Sequence, residues 1–135
     1  MRSVDARIED EMRKRIAKEL LAEILVPIEV KGPCGSAKAW AVVDTGATVS
    51  ALMPEVLALT CLENERPGDV VVADGRTIRT RAGEVELKVG EGECPPVRTT
   101  VFEGAFNLVG TNYMDEVDMV VDVRPGTVSC RRKER

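Results

Sequence analysis

The hydrophobic pattern divides the chain into an N-terminal helix and a series of short strands. Over residues 1–25, apolar residues recur every four positions and charged residues fill the other faces, which predicts an amphipathic helix. Ser3 can cap the start of this helix, and Pro27 ends it. Beyond Pro27, apolar and polar residues alternate in short runs. The pattern therefore predicts a helical segment over residues 1–25 and one β-domain over residues 26–135.

About eight short strands are expected in the β-domain, with turns roughly every ten residues. The predicted strands cover residues 28–31, 39–44, 69–73, 77–80, 84–89, 97–102, 119–123 and 127–130. Residues 54–62 are predicted as a short helical turn or a loop, and residues 106–109 as an apolar run. The spacing is typical of an all-β barrel or sandwich, here preceded by one helix.

Composition narrows the class of protein. Apolar residues make up 44% of the 135 residues and charged residues 31%, as in a soluble globular domain. The net charge of −4 argues against a nucleic-acid partner, and residues 131–133 are interpreted as a solvated basic tail. No apolar run reaches the roughly 18 residues that span a membrane. Because the charged N-terminus lacks the apolar centre of a signal peptide, a cytoplasmic location is predicted.

The chain contains no histidine, so the commonest general base and metal ligand is missing. Nucleophilic catalysis by the usual histidine-assisted route is thereby excluded. Carboxylates become the first candidates for proton transfer, and neither a metal nor another cofactor is predicted. Glutamine is also absent while Arg and Glu are plentiful, a bias seen in proteins from hot environments.

Four cysteines stand at wide intervals, without the close pairs of zinc sites. They are Cys34, Cys61, Cys94 and Cys130. In a cytoplasmic chain they are predicted to be reduced and partly buried. A structural disulfide, for example between Cys34 and Cys94, is the less favoured alternative.

One carboxylate stands where a buried strand should end. Apolar residues 40–43 lead into Asp44, and apolar residues resume at Val49. Because burying an unpaired carboxylate is costly, a protein usually neutralises it, pairs it or uses it. The sequence therefore singles out Asp44 as the candidate for chemistry.

Asp44 begins the motif Asp44-Thr45-Gly46-Ala47, and Ser50 follows it. Two further segments lie downstream, residues 70–77 with Ala73-Asp74-Gly75 at their centre, and residues 107–114. Together they resemble the active-site loop, the flap hairpin and the apolar-apolar-Gly segment of the retropepsin-like aspartic proteases. The resemblance covers residues 28–130 and implies a closed acid-protease barrel with a flap.

The resemblance implies a homodimeric aspartic endopeptidase. Two carboxyl groups about 3 Å apart share one proton, so one activates water while the other protonates the leaving nitrogen. This chain has a single Asp-Thr-Gly and is too short for a two-lobed enzyme, so the second carboxylate would be Asp44 of an identical chain. The pair would titrate as a unit. The expected partners are a second copy and an extended peptide or protein substrate.

Further roles follow from the same resemblance. Thr45 would bond across the two-fold axis, Gly46 would allow close approach to the dyad, Ala47 would line the cleft, and Ser50 would brace the loop. The expected flap residues are Val72, Ala73, Asp74, Gly75 and Arg76, which would cover an extended substrate. The competing interpretation of Asp74-Gly75 is an ordinary surface turn.

Leu108, Val109 and Gly110 are interpreted equally as cleft wall or as core. Thr48, Val49 and Thr111 stand where retroviral members carry acidic residues and an arginine, so the ion pairing that braces the retroviral dimer is absent. The N-terminal helix has no counterpart in the minimal viral enzyme; it would strengthen the dimer or restrain the cleft.

Two other functions stay open at this stage. One is a catalytically silent module that binds peptides or dimerises on the same fold. The other is an unrelated β-barrel with a structural role, in which the Asp-Thr-Gly triplet occurs by chance.

Overall fold

The computed structural model describes residues 25–44, 46–71, 74–90, 94–122 and 127–130, most of them in strands. The strands are β1 (Leu25–Gly32), β2 (Gly35–Val43), β3 (Ser50–Leu52), β4 (Glu63–Val71), β5 (Thr77–Val89), β6 (Val97–Glu103), β7 (Leu108–Val109), β8 (Met119–Asp122) and β9 (Thr127–Cys130). The helices within these ranges are α1 (Pro54–Thr60) and α2 (Thr111–Val117). The predicted all-β class is confirmed. The predicted N-terminal helix lies outside the described residues, except for Leu25, which begins β1.

The main sheet has seven strands in the order β1-β2-β7-β3-β6-β5-β4. An additional antiparallel pairing of β1 with β5 joins the sheet to itself, so the arrangement is ring-like rather than a clear barrel. β4 pairs with β5 at the end of the strand order. Two of the pairings are parallel, β2 with β7 and β3 with β6. β8 and β9 form a separate two-stranded sheet.

The sequence predicts two separate strands, over residues 77–80 and 84–89, where the structure has the single strand β5. It runs without a break over 13 residues, pairing with β4 on one side and β6 on the other. Gly83, which lies between the two predicted strands, sits where a Cβ atom would come within 2.7 Å of the Glu63 carbonyl oxygen. The small residue is therefore required by the close approach of the chain at the start of β4, and it does not mark a turn.

The strand β4 begins at Glu63, six residues earlier than predicted. Its first five residues are all exposed, and they include Pro67. Because an edge strand faces water, it tolerates charged residues and a proline that the alternation rule would assign to a loop. Charged side chains also protect such an edge from pairing with other chains.

Apolar side chains from β1, β2, β5, β6 and both helices share one core. Tyr113, from α2, is the largest of the fully buried side chains. Its hydroxyl accepts a hydrogen bond from the Val89 amide at 3.2 Å and donates one to the Pro95 carbonyl at 3.0 Å. Burial raises the pKa of this hydroxyl above its ordinary value, so it stays protonated. Tyr113 thereby ties α2 to the end of β5.

Ion pairs join β4, β5 and β6 across their exposed surface. Arg66 pairs with Glu84 at 2.8 Å, Arg81 pairs with Glu65 at 2.8 Å and also with Glu103, and Arg98 pairs with Glu63 at 3.1 Å. The hydrogen bond from Arg66 is the main cause that holds the pKa of Glu84 below its ordinary value. Any stability gained from this shift is present above the ordinary pKa of a glutamate and is lost as the pH falls through the lowered pKa. Glu84 therefore keeps its charge in mildly acidic solution.

The prediction of reduced cysteines is wrong, and so is the alternative pairing of Cys34 with Cys94. Cys34 forms a disulfide with Cys61, and Cys94 forms one with Cys130. The first links the β1–β2 turn to the end of α1, where the Cys34 amide also donates to the Thr60 carbonyl at 3.0 Å. The second ties the segment before β6 to the end of β9. Spacing alone could not reveal either pairing, because each joins segments that only the fold brings together.

No helix in the part of the chain that the structure covers is both long and apolar enough to cross a lipid bilayer.

Candidate functional site

Asp44 directly follows β2, at the point where this strand meets β7 in parallel. Val42 and Val43 pair with Leu108 and Val109, and the Asp44 amide continues the ladder by donating to the Val109 carbonyl at 3.0 Å. The backbone of Asp44 is thus held by the sheet, while its half-buried side chain belongs to the loop that follows. The predicted position at the end of a buried strand agrees with this geometry.

The loop after Asp44 folds back onto the carboxylate. The Gly46 amide donates to Asp44 Oδ1 at 2.9 Å, and the Ala47 amide donates to the Asp44 carbonyl at 3.2 Å. A hydrogen bond from a backbone amide fixes the orientation of a carboxylate. Gly46 is exposed and Ala47 is half-buried. Thr45 lies outside the described residues.

Gly110 lets the loop after Asp44 come into contact with the end of β7. A Cβ atom at this position would lie 2.3 Å from the Val49 carbonyl oxygen and 3.0 Å from the Ala47 carbonyl oxygen. The next amide, that of Thr111, donates to the Ala47 carbonyl at 2.8 Å. A backbone hydrogen bond therefore links these two segments at Thr111. Gly110 is needed here for close approach of two backbones.

Ser50 is fully buried and joins the same two segments through its hydroxyl. Its Oγ accepts a hydrogen bond from the Gly110 amide at 3.0 Å and donates one to Asn112 Oδ1 at 2.8 Å. The Asn112 side-chain amide in turn donates to the Thr100 carbonyl on β6 at 2.9 Å. The sequence motif included Asn112 without giving it a role. A polar residue two positions after a glycine, at the start of a helix, is the signal that could have identified it.

Replacing Gly110 with alanine should destabilise the protein more than the same substitution at Gly104. We expect a loss of about 1–3 kcal/mol in the free energy of unfolding, because the added methyl group meets backbone atoms that cannot rotate away. Urea unfolding monitored by circular dichroism would measure it. Gly104→Ala is the matched control, since its Cβ would lie 3.2 Å from the Ala51 methyl group and 3.7 Å from the Phe106 carbonyl oxygen. Equal losses for the two variants would contradict the close packing of Gly110.

The predicted cleft-wall residues separate into two groups. Val109 is fully buried in the core, and Gly110 is buried beneath the loop, so the core interpretation holds for both. Leu108 is half-buried and pairs with both Val42 and Ala51. Because successive residues of a strand point to opposite faces, Leu108 faces away from the side that buries Val109. A cleft-wall role for Leu108 stays a prediction.

The predicted flap coincides with the hairpin formed by β4 and β5, which pair as far as Val71 and Thr77. At its tip the Arg76 side chain forms an ion pair with Asp74 at 2.6 Å, and Gly75 has a φ of 87°. Val71 is 70% exposed and Ile78, on the opposite strand, is 45% exposed. Val72 and Ala73 lie outside the described residues. The described tip is therefore an exposed hairpin with apolar side chains just behind a charged turn.

The structure thus brings Asp44, Gly46, Ala47, Ser50 and Gly110 into one hydrogen-bonded unit, while the described contacts of Asp74 and Arg76 lie within the hairpin itself. Among the described residues, no group of three or more Cys, Asp or Glu side chains is arranged to hold a metal ion. The chemistry available to this unit is that of one oriented carboxylate in each chain.

Comparison with known proteins adds no assignment, since neither a protein-family model nor a curated protein matches the chain.

Proposed function

We propose that the protein is a homodimeric aspartic endopeptidase of the retropepsin-like class. The observation that carries the proposal is the arrangement of the Asp44 loop. A half-buried aspartate follows a strand in a parallel pair, accepts a hydrogen bond from the glycine two residues later, and lies against a second loop through Ser50, Gly110 and Thr111. Holding one carboxylate this firmly serves chemistry that requires a fixed orientation.

The reaction we propose is hydrolysis of a peptide bond by an activated water molecule. One carboxylate takes a proton from the water, and a second carboxyl group supplies a proton to the leaving nitrogen. Each chain contributes one such group, so the site is complete only when Asp44 of one protomer faces Asp44 of another across a two-fold axis. Because the shared proton is essential, activity should be greatest in acidic or mildly acidic solution.

The exposed hairpin supports an extended peptide as substrate. Its tip carries exposed apolar side chains at Val71 and Ile78. They point to opposite faces of the hairpin because Ile78 pairs with Val70, so one of them would face a substrate strand and exclude water from it. The same features would serve a module that binds peptides without cutting them. The oriented carboxylate of Asp44 favours the enzyme, since a module that only holds a peptide does not need the dyad.

The two disulfides bear on where the protein works. Disulfides persist mainly in oxidising compartments, but they are also common inside the cells of hyperthermophiles. The absence of glutamine and the abundance of Arg and Glu agree with the second setting. We keep the proposed cytoplasmic location on that basis.

Digestion of a mixed peptide library across pH 3 to 8 tests the proposal, with the dimer measured in parallel by sedimentation equilibrium. We expect cleavage with an acidic optimum that a statine-type inhibitor abolishes, and specific activity that falls when dilution dissociates the dimer. Binding of peptides by a dimer without cleavage would instead support the silent module. A stable monomer without activity would contradict both interpretations.

A further inference from the structure

We infer that Asn107 is a positioning residue that sets the geometry of the Asp44 loop from outside it. Asn107 precedes β7 and is fully buried. The expected effect on catalysis rests on the proposed function. The contacts that support the inference are independent of that function.

The Asn107 side chain joins the two chain segments that enter and leave the Asp44 loop. Its Nδ2 donates to the Trp40 carbonyl on β2 at 2.9 Å, four residues before Asp44. Its Oδ1 accepts from the Met53 amide at 2.8 Å, directly after β3. One amide group therefore fixes the separation between β2 and the end of β3, and residues 44–49 must span this distance.

The backbone of Asn107 adds a third bond in the same place. Its carbonyl accepts from the Val42 amide at 2.9 Å, which is the bond before the one that links Asp44 to Val109. Asn107 thus begins the parallel ladder that ends at Asp44. Because its donor and its acceptor are both used within the fold, the only other side chain of this size that can supply both is a protonated aspartic acid.

A residue that only stabilised the core would change stability without moving the loop. Asn107 is bonded on both sides of the loop, so its loss should change the loop even where the rest of the domain remains folded. A misplacement of a catalytic group by about 1 Å can cost two orders of magnitude in rate. We therefore expect an effect on turnover rather than on substrate binding.

The variant Asn107→Asp tests this inference, because its effect depends on protonation. The introduced group is nearly the same size and keeps the acceptor for the Met53 amide. When ionised, it places a negatively charged oxygen against the Trp40 carbonyl oxygen, and the two acceptors repel each other in a buried site. When protonated, it donates to that carbonyl as asparagine does. The ionisable residues nearest to these contacts in the sequence are Lys38 and Asp44 on either side of Trp40, Glu55 after Met53 and Glu103 before Asn107. Every measurement is therefore expressed as a ratio to wild type at the same pH.

Two measurements are compared across pH. The first is hydrogen exchange at the amides of Asp44, Ala47 and Thr111, which we expect to be about tenfold faster than in wild type at neutral pH. The second is steady-state cleavage, in which kcat should fall by about tenfold or more with KM changed less than about twofold. In acidic solution, the exchange rate and the kcat of the variant should both approach those of wild type. The exchange measurement remains valid if the protein cleaves no peptide, so failure of the proposed function would be recognised separately.

Two control variants complete the experiment. Thr60→Val removes a buried hydroxyl at the end of α1, which lies beside Cys34 and therefore at the opposite end of β2 from Asp44. It should lower the melting temperature without changing exchange in the loop. Asn107→Ser cannot reach both partners and should show no recovery in acid. If Asn107→Asp is unfolded at neutral pH, the two Asn107 variants are compared in acid alone. Equal exchange in the loop for Asn107→Asp, Asn107→Ser and wild type would overturn the inference.

Discussion

Replacing Asp44 with asparagine should abolish peptide cleavage while the protein remains folded and dimeric. We expect a loss of about 1,000-fold or more, because the amide can neither take the proton from water nor share a proton with its partner. The side chain keeps an oxygen that can accept from the Gly46 amide, so the loop should keep its conformation. Fluorogenic peptide hydrolysis measures the activity, and sedimentation and circular dichroism check the fold.

Asp74→Asn is the matched control for this experiment. Asp74 is an exposed aspartate that also accepts a backbone amide two residues later, that of Arg76 at 3.0 Å. The variant should keep measurable turnover, because the Asp74 carboxylate takes no part in proton transfer. Activity retained by Asp44→Asn, or lost equally in both variants, would contradict the mechanism.

Removing the two disulfides should cost more stability than any single core substitution outside them. The bonds close loops with sequence separations of 27 and 36 residues. In the chain-entropy model, each such loop contributes about 3–4 kcal/mol by restricting the unfolded chain. Since a typical domain is stable by only about 5–15 kcal/mol, loss of both bonds should leave the fold marginal or unfolded at 37 °C. Urea unfolding with and without a reducing agent measures the effect.

The two bonds should also respond differently to mild reduction. Cys34 is exposed, whereas Cys94 and Cys130 are only 3% and 8% exposed. We expect the Cys34–Cys61 bond to be reduced first, and a paired Cys34→Ser, Cys61→Ser variant to match the partly reduced protein. Peptide mapping by mass spectrometry identifies the bonds. Four free thiols in the natively purified protein, or an unfolding midpoint that reduction leaves unchanged, would contradict this account.

The sequence predicted most of the strands because alternation is a local property. β1, β2, β6 and the β4–β5 hairpin follow from alternating residues and from turn residues such as Asp74-Gly75. The parallel contacts of β2 with β7 and of β3 with β6 could not be predicted in this way. Each involves a strand of only two or three residues, whose pairing depends on the rest of the sheet.

The sequence located Asp44 and its loop but not the residues that support them. Asp44 was identified because a charge at the end of an apolar run requires an explanation, and Gly110 because it lies in a recognisable segment. Asn107 and Asn112 were given no role. The partners of these two asparagines are mainly backbone atoms of segments distant in sequence, so no local residue pattern predicts the contacts. The cysteine pairs were missed for the same reason.

Titration of the active site with a tight-binding statine-type inhibitor tests the central claim most directly, namely that two copies of Asp44 form one catalytic centre. Peptide cleavage by a known concentration of chains is measured as inhibitor is added at mildly acidic pH. We expect complete inhibition at one inhibitor molecule for every two chains. Inhibition at one molecule per chain, or cleavage that the inhibitor does not affect, would contradict a shared aspartate dyad.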